Sequence, residues 1–174
     1  MNPLEQIMDW YVTARDAIRV TERVITSSIV GAITEKHKFH AEPPPKNLQA
    51  LESSRNELDN MVVFLLVAAT ERLLREHIFT LLDNRFAPGN LVEKSIGKQA
   101  HDDAEQWKFR AELLPVFVTA PENLRGRVKQ LVEFRDWVAH GHQWGTTMPQ
   151  SPVNVVPKYA FDTLKDFLAT AGVI

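Results

Sequence analysis

From Ile7 to Ala32, apolar and small residues return every three or four positions: Ile7, Trp10, Tyr11, Ala14, Ile18, Thr21, Val24, Ile25, Ser28, Ile29 and Ala32. That period places them on one face of a helix, predicted over about residues 3–37. Asn2 is a capping residue, and Pro3 suits the first helical position, where a backbone N–H has no intrahelical partner. Arg15, Asp16, Arg19, Glu22 and Arg23 fall mostly on the other side and read as a solvated face.

Pro43-Pro44-Pro45 predicts the end of that helix and a stiff connector. Asn47 is then the expected cap of a second helix running to about Asn84. Its middle, Met61 to Ala69, is apolar at every position, which predicts a helix covered on all sides. Thr70-Glu71-Arg72 follows. Glu71 has two readings: a surface ion pair with Arg75 at i,i+4, or an inward-facing carboxylate that holds Arg135.

Pro88-Gly89 reads as a turn. Leu91 to Lys98 predicts a short helix, weakened by Gly97. Asp102 or Asp103 is the expected cap of another, through Trp107, Phe109, Leu113 and Leu114 to a break at Pro115. Val116-Phe117-Val118 is either an apolar helix end or a strand. The next helix has Pro121 near its first position and Glu122 at the positive end of its dipole. Leu124, Val128, Leu131, Arg135 and Val138 form one stripe on it, at steps of four, three, four and three. Gly126 is a small contact point or a weak spot. Gly141 stops the helix. A loop containing Pro149 and Pro152 runs from His142 to Val156 and on to Pro157. A last amphipathic helix spans Lys158 to Ala171, with Ala160, Phe161, Leu164, Phe167 and Leu168 inward and Gly172 at its end. No strand–helix alternation is evident. The predicted fold is all-α: a single domain over residues 1–174, an antiparallel bundle of long N-terminal helices with shorter ones packed on.

Composition narrows the chemistry. The chain has 174 residues, is 44% apolar and carries a net charge of −2. It can bury a core, and any attraction to nucleic acid must be local. The absence of cysteine excludes disulfides, thiolate zinc sites and a cysteine nucleophile, and fits a reducing cytoplasm. No secretory leader is visible, and Met61 to Ala69 is far short of a membrane span. His101-Asp102-Asp103 has no third ligand spaced to join it, and His140 with His142 is a poor metal pair, so no cofactor is expected.

The candidate chemistry lies in Leu131 to His142. Arg135 sits on the core-facing stripe, and burying an unpaired guanidinium is costly. Its partner is either a carboxylate such as Glu71 or a ligand phosphate. His140 lies where helix-end carbonyls concentrate partial negative charge. It is either an ordinary helix-end residue or a group that gives and takes protons. A cation and an imidazole together suffice to cleave RNA without metal. On an ideal helix the two differ by roughly 140° in direction and ~7.5 Å in height. A common target therefore calls for distortion at the helix end, a long reach by Arg135, or a second copy of the helix across a two-fold axis. Trp137 and Trp144 either stack on bases or pack in the core or a dimer interface. His142 can contact RNA or assist catalysis. Arg125, Arg127 and Lys129 either guide a phosphate backbone or form a solvated face.

Arg135-Asp136-Trp137-Val138-Ala139-His140-Gly141 resembles the motif of HEPN domains: arginine, a polar residue, then histidine after a short spacer. The helix, proline linker and apolar helix before it, and the loop and amphipathic helix after it, are also similar. The resemblance implies a helical homodimer and, in active members, a metal-independent endoribonuclease. Arg135 then binds phosphate, Asp136 fills the polar position and His140 transfers protons. Such proteins include toxins, defence effectors, RNA-processing factors and inactive members. Part of the family pairs with a nucleotidyltransferase-type antitoxin.

Overall fold

The computed structural model describes residues 2–27, 43–140 and 155–174. Every regular element among them is helical: α1 (Pro3–Thr26), α2 (Pro44–Phe86), α3 (Leu91–Gln106), a π-helical turn (Phe109–Leu113), the short α4 (Leu114–Val116), α5 (Glu122–Ala139) and α6 (Pro157–Thr170). The all-α class is thus as expected. The chain divides into two compact units, residues 1–62 and 63–174.

In the first unit α1 pairs antiparallel with the beginning of α2. Ile18, Ile25, Leu48 and Leu51 form its apolar cluster. Asp59 accepts a hydrogen bond from the Tyr11 hydroxyl at 2.9 Å and pairs with Arg15 at 2.8 Å. Glu22 lies 3.6 Å from Arg55. Partners fall along α2 as they rise along α1, which fixes the antiparallel sense. Most of the expected inward face holds: Ile7, Tyr11, Ala14, Ile18, Thr21 and Val24 are half-buried and Ile25 is buried. Arg15 and Glu22 meet α2, whereas Trp10 is 49% exposed. Long side chains can lay their stems on apolar surface and still pair at their tips, so charge alone does not mark the outer face.

Asn2 caps α1 as expected, accepting the Leu4 N–H at 2.9 Å. The helix ends at Thr26, well short of residue 37. Thr26 and Ser27 turn their hydroxyls onto the Glu22, Arg23 and Val24 carbonyls, and Ser27 is extended. Such local bonds compete with the helix. The rest of the expected helix, residues 28–37, lies outside the described residues. At α2, Asn47 is not the cap. The helix begins at Pro44, and the Lys46 and Asn47 N–H groups both donate to the Pro43 carbonyl. Pro44 and Pro45 occupy positions that need no N–H. The apolar run is not covered on every side either. Val62, Val63, Leu66 and Val67 are buried, but Met61 is 53% exposed and Phe64, Leu65 and Ala68 are half-buried.

The second unit is built on a core that includes Leu66, Leu74, Leu113, Leu114, Leu131, Leu164 and Phe167, all fully buried. Phe117 meets Phe167 edge-on at 6.1 Å. α5 packs against α6 and the π-helical turn. One helix, α3, replaces the two expected around Gly97 and Asp102. It starts with a reciprocal cap: Asn90 accepts from the Val92 and Glu93 N–H groups, and Glu93 accepts from the Asn90 N–H. Gly97 is buried, and a Cβ there would lie 2.5 Å from the Phe86 Cβ. Its missing side chain lets α3 pass Phe86. Asp102 and Asp103 are therefore mid-helix, and His101 stacks on Phe79 at 3.9 Å. Val116 belongs to a helical turn rather than a strand. Pro157 opens α6 instead of extending the loop, and Gly172, at φ 72°, follows its end.

Candidate functional site

α5 places Arg135 by elementary periodicity. Leu124, Val128 and Leu131 are buried along one stripe, and Arg135 is the next residue on it, with 18% of its side chain exposed. Its guanidinium reaches two carboxylates. Nη1 donates to Glu71 Oε2 at 2.7 Å, while Nε and Nη2 donate to Asp136 Oδ1 at 3.0 and 2.8 Å. The Phe109 ring lies 5.8 Å from its Cζ, within reach of a cation–π contact. Of the two readings of Glu71, the structure realises both at once. Oε1 accepts from Arg75 at 2.8 Å while Oε2 holds Arg135. The pair with Arg75 is not a surface pair, since both side chains are about four-fifths buried.

Arg75 extends the network further. Its Nη1 donates to the Ala104 and Glu105 carbonyls at 2.8 and 3.0 Å, and Nη2 also donates to the Trp107 carbonyl. These groups end α3, where carbonyls lack intrahelical partners. One arginine thus closes α3 and fixes Glu71, which in turn fixes Arg135. Sequence reasoning found Arg75 only as a partner of Glu71. Its carbonyl partners are some thirty residues away and leave no local pattern.

Burial by itself lowers the Arg135 pKa, but the hydrogen bonds to Asp136 and Glu71 and their charges more than reverse this, and the net shift is upward. Arg135 is therefore cationic at any working pH. Asp136 serves as its clamp.

His140 closes α5, its backbone N–H donating to the Asp136 carbonyl at 3.1 Å, and its side chain is exposed. Arg135 and His140 thus differ in setting: one is clamped on the inner stripe, the other stands exposed at the end of the helix. Trp137 is half-buried, 5.6 Å from the Phe134 ring, which fits packing better than base stacking. Arg127 and Lys129 are exposed and Arg125 is half-buried. Gly141, His142 and Trp144 lie outside the described residues. Among the described residues, no three His, Asp or Glu side chains are grouped to hold a metal, and no helix is long and apolar enough to cross a membrane.

Comparison with family models, with curated proteins and with solved structures found no match.

Proposed function

We propose that the chain is a HEPN-type endoribonuclease that cleaves RNA without metal. The observation that carries this reading is the Arg135 guanidinium. Three of its N–H groups are clamped by Glu71 and Asp136, and 18% of the side chain stays exposed. A guanidinium has five N–H donors. Two therefore remain for a phosphate oxygen, on a group whose direction is already set.

In the reaction, one His140 imidazole takes the proton of a ribose 2′-hydroxyl. The 2′-oxygen bonds to phosphorus and the bond to the 5′-oxygen breaks. His140 of the partner subunit protonates that leaving oxygen. The products are a 2′,3′-cyclic phosphate and a 5′-hydroxyl end. A two-fold dimer answers the geometry of a single α5, whose arginine and histidine point in different directions. Toxin, defence and RNA-processing roles, and a nucleotidyltransferase-type antitoxin, follow from the family resemblance alone. The test is cleavage of cellular RNA in EDTA by the wild type and by His140→Ala, with mapping of the ends.

A second reading is a non-catalytic helical module that binds a protein or a nucleotide. The charge balance of the cluster favours it. Arg75 and Arg135 face Glu71 and Asp136, so two cations meet two anions. On that reading Arg135→Ala lowers stability and His140→Ala changes nothing measurable.

A further inference from the structure

At the start of α5, a cavity of about 190 Å³ is lined by Leu114, Pro115, Glu122, Arg125, Gly126 and Lys129. Arg125 lines it, and its Nε is buried without a hydrogen-bond partner among the described residues, so the Nη groups are what it can offer a ligand. A buried N–H of a charged group that bonds to nothing is uncommon, because its lost hydration goes uncompensated. Lys129, one turn on, is exposed and forms no ion pair among the described residues. Between them Gly126 leaves the space open: nothing stands within 4 Å of where its Cβ would be. Glu122 is the one carboxylate of the lining, and it pairs with neither cation. The lining therefore carries an excess of positive charge beside an apolar wall, with a guanidinium suited to forked contact with oxyanions.

The placement along α5 indicates which oxyanion. Lys129 and His140 differ by only ~20° around the helix axis and ~16 Å along it, and Arg125 lies within ~60° of His140. Three carboxylates share that direction: Glu133 pairs with Arg110 at 2.7 Å and Asp136 with Arg135 at 2.8 Å, while Glu122, in the cavity lining, offsets one of the two cations there. The ridge thus presents a net positive charge at one end and the imidazole at the other. Resting on the ribonuclease reading, we propose that this cavity is a phosphate subsite, in which Arg125 and Lys129 hold a backbone phosphodiester of the RNA strand whose scissile bond lies at His140.

The experiment is fluorescence-anisotropy binding of a short 2′-O-methyl RNA, which cannot be cleaved, at several salt concentrations. Wild type is compared with Arg125→Gln, Lys129→Ala, Gly126→Leu and Arg127→Ala, with thermal melts to confirm folding. Lys129→Ala should weaken binding roughly three- to tenfold, alike for different RNA sequences, and reduce the salt slope by about one. Arg125→Gln should weaken binding similarly. Gly126→Leu should do so by filling the space while keeping both cations. Arg127→Ala, exposed on another face, should change little. The proposal is overturned if wild type binds no such RNA, if Lys129→Ala and Gly126→Leu bind as wild type does, or if Arg127→Ala is as weak as Lys129→Ala. Wild type that binds this RNA through the site but cuts no unmodified RNA would remove the cleavage reading and leave this subsite standing.

Discussion

Glu71 holds Arg135 at 2.7 Å with one carboxylate oxygen and Arg75 at 2.8 Å with the other. Removing the carboxylate leaves two guanidinium groups near each other, each about four-fifths buried. Glu71→Ala should therefore destabilise the fold by about 1.5–3 kcal/mol, the range for hydrogen bonds to charged groups. Glu71→Gln keeps the shape but loses the charge, and should fall between that variant and the wild type. Urea denaturation of the three proteins measures the order. Equal midpoints would show that the bridge contributes nothing.

Arg75 acts as a fork on backbone carbonyls and on Glu71 simultaneously. Lysine has the charge but not the planar set of donors. Arg75→Lys should cost about 1–2 kcal/mol. It should also raise amide hydrogen exchange at the last turn of α3 more than elsewhere. Exchange unchanged at residues 104–107 would contradict the capping role.

Two glycines should respond oppositely to alanine. Helix propensity favours alanine at both by about 1 kcal/mol. At Gly97 the new methyl would meet the Phe86 Cβ at 2.5 Å, an atom next to the backbone that cannot swing aside. Gly97→Ala should therefore be destabilising by about 1–3 kcal/mol, as overpacking generally is. At Gly126 nothing stands within 4 Å, so Gly126→Ala should be stabilising by about 0.5–1 kcal/mol. Thermal melts of the two variants give the signs.

The Tyr11 hydroxyl has its pKa pushed up to about 12 by burial, by its hydrogen bond to Asp59 and by the charge of that carboxylate. An unfolded tyrosine titrates near 10. Below that pH both states keep the proton and the contribution to stability is complete. Between about 10 and 12 the unfolded chain releases its proton first, so the contribution declines as pH rises. Tyr11→Phe should be less stable than wild type at pH 8, and the gap should narrow above pH 10. A constant gap up to pH 12 would show that the hydroxyl is not held.

The inner stripe of α5 was legible because a step of three or four needs no tertiary information, and Arg135 was readable as its polar intruder. Asn2-Pro3 was legible for the same reason: a cap acts within its own turn. The start of α3 was also written locally, in Asn90 and Glu93 three residues apart, whereas Asp102 and Asp103 suggested the cap of a second helix where α3 in fact runs on. Gly97 looked like a weak spot because its neighbour Phe86 belongs to another helix. The inward turn of Arg15 depended on Asp59, 44 residues beyond it. Contacts at that separation leave no periodic trace.

The most direct test of the account is RNA cleavage in EDTA by wild-type protein and by His140→Ala, with both melts recorded. His140 is exposed at the end of α5, so its loss should leave the melting temperature within about 1–2 °C of wild type, as for most surface substitutions. The account predicts fragments ending in 2′,3′-cyclic phosphate from the wild type and none from the variant. Intact RNA from wild type that sizing shows to be a dimer, or equal cleavage by His140→Ala, would contradict it.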